Sequence, residues 1–140
     1  MTNAINAQGI VIARGDGGSP ETYTLIAEIT DFDGPGGERP DIDVSSLDST
    51  AREYLPGLKD NGDFSFTANF LGADAQHVLI RDTDTAETTD ATNFRITFTD
   101  VGATTATFAA FVKQYRPSGS VDAAVVANVT MRVTGDVTWA

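Results

Sequence analysis

The feature that most constrains the fold of this chain is the alternation of apolar and polar side chains over Gly62–Leu71. Successive side chains of a β-strand point to opposite faces, so this alternation predicts a strand with one apolar and one polar face. At ~3.3 Å per residue the run would span about 33 Å, well beyond a common strand of about 5–6 residues. Its apolar members are Phe64, Phe66, Ala68 and Phe70, and its polar members are Asp63, Ser65, Thr67 and Asn69. Such a strand indicates a barrel or an extended sheet.

The same period of two recurs along the chain and predicts about six strands. In the last of them, valine and alanine side chains share one side, and Gly135 predicts a bulge just beyond its end. The predicted strands are Ile10–Ala13, Thr22–Phe32, Gly62–Leu71, Asn93–Thr99, Thr105–Tyr115 and Val121–Thr134. The fold is therefore predicted to be mainly β, as a β-sandwich or a small barrel.

One α-helix is predicted over Ala75–Arg81, with Asp74 as its N-cap. The helix would lie against the outside of the sheet through an apolar face made of Ala75, Val78 and Leu79. The residues that follow, Asp82–Asp90, are polar and lack hydrophobic periodicity, which predicts a linker.

A long connection precedes the phenylalanine-rich strand. The segment Asp33–Leu47 is rich in Gly and Pro at its start, which predicts an exposed loop with at most a short extended segment. Thr50 then lies three residues before Glu53, a capping-box spacing that predicts one helical turn over Ala51–Leu55. A connection this long in a compact domain usually serves a function.

Length and charge limit the classes of function. The chain has 140 residues and is expected to form a single domain over 1–140. Its formal net charge is −11, and 18 of its 20 acidic residues lie in the first hundred positions. Such a surface disfavours specific nucleic-acid binding, because duplex affinity comes largely from Lys and Arg. Plain solubility is the more common reason for an acidic composition.

The sequence gives little indication of a catalytic or a metal site. The single histidine, His77, has no obvious partners for a zinc site or a catalytic triad, and cysteine is absent. Two acidic runs fail the calcium-loop pattern and are read as solvated loops; they comprise Asp31 and Asp33, and Asp82, Asp84, Glu87 and Asp90. The triplet Arg14–Asp16 is read as a turn. No cofactor, metal or catalytic group is expected, and neither a secretory signal nor a membrane-spanning stretch is seen.

The run Ser46–Leu58, SLDSTAREYLPGL, followed by an acidic turn and a strand, resembles the tail tube (major tail) proteins of long-tailed bacteriophages. The ending GDVT at Gly135–Thr138 adds to this resemblance. It implies a β-sandwich or barrel-like subunit with one short flanking helix and a long loop, which assembles into a ring-shaped β-barrel. Such rings, expected to be hexameric, would stack into a hollow tube. The same fold is shared with the tube proteins of type VI secretion.

The resemblance also implies roles for particular residues. One polar face would line the channel through Asp63, Ser65, Thr67, Asn69, Asn128, Thr130 and Arg132. Contacts between rings would come from Met1–Gln8 and from the loop Asp33–Leu47, with Asp33, Gly34, Pro35, Gly36, Gly37, Glu38, Arg39, Pro40, Asp41 and Asp43 as the candidate residues.

The implied partners are further copies of the chain, tape-measure, tail-terminator and baseplate or tip proteins, and double-stranded DNA in transit without specific binding. The implied location is the phage tail of the virion, assembled in the host bacterial cytoplasm. Other interpretations stay open at this point. One is a different tail or injection-tube component, such as a terminator or a secretion tube. The other is a non-catalytic ligand- or carbohydrate-binding β module, which would present an exposed aromatic platform.

Overall fold

The strands form one seven-stranded antiparallel sheet and a separate two-stranded sheet in the computed structural model, which describes residues 4–86 and 90–140. In chain order the elements are β1 (Val11–Gly15), β2 (Tyr23–Leu25), β3 (Ile29–Asp33), β4 (Asp41–Asp43), β5 (Tyr54–Pro56), β6 (Asp63–Asn69), α1 (Ala75–Ala86), β7 (Thr92–Thr97), β8 (Thr105–Ser118) and β9 (Val126–Trp139). The large sheet has the order β2-β1-β7-β8-β9-β6-β3, and β4 pairs with β5. The prediction of a mainly β subunit with one helix is confirmed, with more strands than predicted.

The large sheet curls so that its two edges approach each other. Its edge strands, β2 and β3, are joined only by Ile26–Glu28, and three residues span at most about 10 Å. Ile26 is buried and its N–H donates to Ile12 O at 2.8 Å, while Glu28 has a φ of 57°. The single strand predicted over Thr22–Phe32 is therefore wrong, because the chain crosses between the edges at this point.

The core occupies the concave face of the curled sheet. Phe64 of β6 and Phe108 of β8 lie two strands apart, and their ring centroids are 5.0 Å from each other. Phe94 of β7 extends this cluster, with its centroid 6.2 Å from that of Phe108. Phe70 was predicted on the same face but is exposed, because β6 ends at Asn69.

The helix α1 is longer than predicted and packs through a different face. Asp74 Oδ1 accepts hydrogen bonds from the N–H groups of Gln76 and His77, so the predicted N-cap is confirmed. The buried helix residues are His77 and Ile80, whereas Leu79 is exposed. His77 Nε2 donates to Ala27 O at 2.8 Å, and this bond fixes which face of the helix turns inward. The helix continues to Ala86, so the linker predicted from Asp82 is wrong up to that residue.

The β8–β9 hairpin contains the two longest strands of the described chain. The strand predicted over Val121–Thr134 is displaced, since residues before Val126 form the hairpin turn and the pairing continues to Trp139. Gly135 has a φ of 81°. Next to it, the step from Thr107 to Ala109 on β8 faces the longer step from Thr138 to Thr134 on β9, so β9 carries extra residues at this point. The predicted bulge at Gly135 is confirmed.

The β4–β5 hairpin, which we call the arm (Asp41–Pro56), replaces the predicted helical turn. Glu53 uses its backbone to close the hairpin: Val44 N donates to Glu53 O at 2.9 Å, and Glu53 N donates to Ser45 Oγ at 2.7 Å. Because the N–H and the C=O of Glu53 are both bonded across the hairpin, the capping box predicted between Thr50 and Glu53 cannot form. Tyr54–Pro56 is accordingly a strand that pairs with β4.

Candidate functional site

The residues predicted to line a channel do lie together, on the outer face of β6 and β9. Register pairs place Asp63 opposite Arg132, Ser65 opposite Thr130 and Thr67 opposite Asn128. Directly opposed residues of an antiparallel pair share one face of the sheet, so these side chains form a continuous surface. We call this surface the polar face; it comprises Asp63, Ser65, Thr67, Asn69, Asn128, Thr130 and Arg132. It is partly exposed along its whole length.

The charges on the polar face are paired with one another. Arg132 Nη2 lies 2.6 Å from Asp60 Oδ2, and Arg132 Nη1 lies 3.5 Å from Asp63 Oδ1. Lys113 Nζ is also 3.5 Å from an oxygen of Asp63. The N–H of Gly62 and, second, Arg132 hold the pKa of Asp60 below its ordinary value. These cations are therefore neutralised locally and offer little free charge to an anion.

Strands on both sides extend the polar face with residues that sequence reasoning missed. On β8, Phe111, Gln114 and Arg116 stand opposite Arg132, Thr130 and Asn128. On the other side Asp33, predicted as a loop residue, lies at the end of β3 opposite Ser65. Only strand pairing reveals these neighbours, because nothing in the local sequence of β8 or β3 links them to β6.

Two edges of this surface are open in the described subunit. Strand β8 pairs with β7 only over Thr105–Ala110, so the edge of Phe111–Ser118 that faces away from β9 has no strand partner among the described residues. At the other side of the surface, β3 pairs only with β6. Open edges present unpaired N–H and C=O groups that readily accept another strand. The surface is thus a four-stranded ribbon, β8-β9-β6-β3, with an open edge at each side.

Most of the candidate inter-ring residues, Gly34–Pro40, lie at the root of the arm, whereas Asp33 ends β3 and Asp41 and Asp43 belong to β4. Glycines allow the two root segments to touch: a Cβ on Gly37 would overlap the backbone of Asp60, and a Cβ on Gly62, whose φ is 69°, would overlap Gly36 O. Asn61 is buried, and its Nδ2 donates to Gly135 O at 2.6 Å. Asp60 N donates to Glu38 O at 3.1 Å. The exposed loop predicted here is joined by these bonds to residues 60–62, and the arm projects from this junction.

The other candidate residues that the structure describes lie in a helix, in a turn or in aromatic packing. Among residues 4–86 and 90–140, no group of acidic or histidine side chains could hold a metal ion. Asp82 and Asp84 lie in α1, and Glu87 lies outside the described residues. Asp16 accepts hydrogen bonds from the N–H groups of Gly18 and Thr22, as the predicted turn requires. Trp139 stacks on Phe98 with 6.1 Å between ring centroids.

Helices that could cross a membrane are absent from the described ranges. Of the residues Met1–Gln8, Ala4–Gln8 are exposed and the first three lie outside the described ranges.

The sequence matches the family described as "Phage tail tube, TTP, lambda-like" over residues 3–140. The chain belongs to this phage tail tube family. It is therefore a structural component of a phage-type tail tube, and the resemblance noted at Ser46–Leu58 is confirmed. Membership of a structural family also argues against the binding-module interpretation. No curated protein matches the sequence significantly.

Solved tube structures share the fold of this tail tube protein at low sequence identity. A chain in the C6-symmetric tail of an empty gene transfer agent particle has a TM-score of 0.76 and 19% identity, covering 98% of this chain and 99% of that one. The SPP1 tail tube protein has a TM-score of 0.71 and 14% identity, with 97% and 78% covered. A type six secretion system protein has a TM-score of 0.54 and 12% identity, covering 93% and 81%. The fold shared with type VI secretion proteins is confirmed.

Proposed function

We propose that the tail tube protein acts as a single domain that closes into rings through the open edges of its four-stranded ribbon. Going across β8, β9, β6 and β3, the strand direction alternates, so the β3 edge of one subunit can pair antiparallel with the β8 edge of the next. Ring closure removes the hazard of exposed edges. This pair of open edges is the observation that carries the proposal.

A ring of six follows the symmetry of a related tail and would enclose a wide channel. The related gene transfer agent tail has C6 symmetry, and six ribbons of four strands would make a barrel of about 24 strands. Barrels of about 16–18 strands already leave an aqueous channel, so this one would enclose a wider lumen. The polar face would line that lumen, because the opposite face of the same strands is filled by the core.

The paired charges of the polar face suit passage of DNA without binding. Phosphates are held mainly by free Lys and Arg side chains, and here Arg132 and Lys113 are engaged by Asp60 and Asp63. Double-stranded DNA would then pass as a transient partner, with a tape-measure protein in the lumen during assembly. Cap and baseplate proteins would bind the tube ends, and no reaction would be catalysed. Assembly would take place in the cytoplasm of the bacterial host, before the tail enters the virion.

The arm supplies the proposed contacts between rings. Most of its large apolar side chains are exposed, and Leu47 at its apex is 106% exposed. Gly57 N donates to Pro40 O at 2.7 Å, so a short Gly-Ser linker can replace Asp41–Pro56 without moving the root. We expect this variant to keep its circular dichroism spectrum and melting temperature, since the arm buries little, but to form no stacked tubes. Normal tubes from the armless variant in negative-stain microscopy would refute an inter-ring role for the arm.

A further inference from the structure

Charged side chains of opposite sign stand at the two open edges of the four-stranded ribbon. Asp31 and Asp33 lie on β3, each opposite a residue of the polar face on β6, so they share the outer face of the sheet. Arg116 lies on β8 at the other edge, opposite a residue of the polar face on β9. All three side chains are exposed. One edge is therefore acidic and the other is basic.

These edge charges have no partner of opposite charge in their own subunit. Among residues 4–86 and 90–140, neither carboxylate of β3 lies within ion-pair distance of a cation, and Arg116 lies near no carboxylate. The cations between the two edges differ, because Arg132 and Lys113 are both paired with carboxylates of the same subunit. The subunit thus satisfies the charges in the middle of the polar face and leaves those at the edges for an outside partner.

One crosswise row of the ribbon contains both an edge carboxylate and the edge guanidinium. Asp31 stands opposite Thr67, Thr67 opposite Asn128, and Asn128 opposite Arg116. If the β3 edge of the next subunit continues this row, Arg116 comes to lie opposite Asp31 and diagonal to Asp33. Opposed Cβ atoms are about 4.5–5.5 Å apart and diagonal neighbours about 7–8 Å apart, which long side chains can span. A shift of two residues toward Asp33 only exchanges the two carboxylates.

We propose that Arg116 of one subunit forms an ion pair with Asp31 and Asp33 of its lateral neighbour, and that this ion pair selects which edges join. The inference rests on the proposed ring and names the side chains that direct its closure. Backbone hydrogen bonds between the edge strands would supply adhesion without regard to sequence. Opposite charges across the junction supply specificity and fix the register of the two strands.

The same charges disfavour the pairing of like edges. Two β3 edges joined antiparallel would bring Asp31 and Asp33 against their own copies, and two β8 edges would do the same with Arg116. Like charges that stand opposite each other on paired strands are destabilising. Such contacts are two-fold symmetric and give dimers, whereas a contact between two different edges is heterologous and can close into a ring. The edge charges therefore favour the ring over like-edge dimers.

Charge reversal tests this ion pair, because complementary charge can be restored in two ways. Arg116→Asp alone, and Asp31→Lys with Asp33→Lys alone, should give folded subunits that form no rings in negative-stain microscopy, since each variant opposes like charges. An equimolar mixture of the two chains should form rings again, because every junction joins opposite charges when the chains alternate around a ring of six. One chain that carries all three substitutions is the matched control, and it should also form rings.

The outcomes separate the ion pair from the ring itself. Rings from either reversed chain alone, as abundant as those of the wild type, overturn the ion pair and leave the ring intact. Failure of both the mixture and the triple variant does the same when circular dichroism shows folded chains. If a reversed chain does not fold, Arg116→Gln must raise the protein concentration at which rings form several-fold, and an unchanged concentration overturns the ion pair. A wild-type chain that forms no rings overturns both.

Discussion

At the scale of single residues, the polar face is held by ion pairs rather than by free charges. Asp63 contacts both Arg132 and Lys113 at 3.5 Å, and Asp60 completes the pairing of Arg132. Loss of Asp63 would therefore do more than remove one negative charge. It would also leave Lys113 without its carboxylate and so free for phosphate oxygens, while Arg132 would keep its ion pair with Asp60.

We predict that the double substitution Asp63→Lys with Asn69→Lys slows DNA delivery while tubes still assemble. The added lysines and the released Lys113 would hold phosphates during transit, with an effect that weakens as salt increases. The control is Asp82→Lys with Thr85→Lys, which makes the same change of charge on exposed helix positions. Particles carrying each tube should be compared by DNA delivered per particle. Equal delivery by the two variants would count against the channel role of the polar face.

Residue environments were predictable where strand periodicity alone decides them. Phe64, Phe66 and Ala68 are buried as predicted, because the period of two holds throughout β6. Phe70 fits the same period but is exposed, since Asn69 ends the strand and the chain turns toward Val125. The pairing of Arg132 with Asp60 joins residues 72 positions apart. No local pattern in the sequence reports such a contact.

At the scale of elements, the root of the arm decides how the arm is presented. Two root segments pass so closely that only glycine fits at Gly37, whereas a Cβ on Gly36 would meet no atom within 4 Å. Adjacent glycines thus differ sharply in their tolerance of a side chain. This difference provides a test of whether the root positions the arm.

We predict that Gly37→Ala destabilises the root and impairs tube formation, while Gly36→Ala does neither. Because the Cβ added by the Gly37→Ala change would overlap Asp60, the backbone must shift and the hydrogen bond from Asp60 N to Glu38 O must break. This change should lower the free energy of unfolding by about 1–3 kcal/mol. Thermal melts and negative-stain images of both variants measure this. Tubes from Gly37→Ala as abundant as those from Gly36→Ala would show that the root does not position the arm.

Long elements with a clear period were predicted better than the arm. The alternation in β6, β7 and β8 gave strands close to those observed, whereas the arm was predicted as a loop and a helical turn. Its strands are three residues each and depend on side-chain bonds such as Glu53 N to Ser45 Oγ. A capping-box spacing at Thr50 and Glu53 could not reveal that these groups are used across a hairpin.

At the scale of the whole molecule, the two faces of the curled sheet have different roles. Its concave face encloses the aromatic core, and its outer face over β8, β9, β6 and β3 carries polar residues between two open edges. The core would stabilise the subunit, and the open edges would join it to its neighbours. Membership of the tail tube family follows from the match over residues 3–140.

The central claim, that subunits close into rings with the polar face toward the lumen, is tested most directly by cryo-electron microscopy of the purified chain at high concentration. The account predicts stacked rings with a central channel, lined by Ser65, Thr67, Asn128 and Thr130, and with β3 of one subunit paired to β8 of the next. A strictly monomeric particle would contradict it, and so would a tube whose channel is lined by another face.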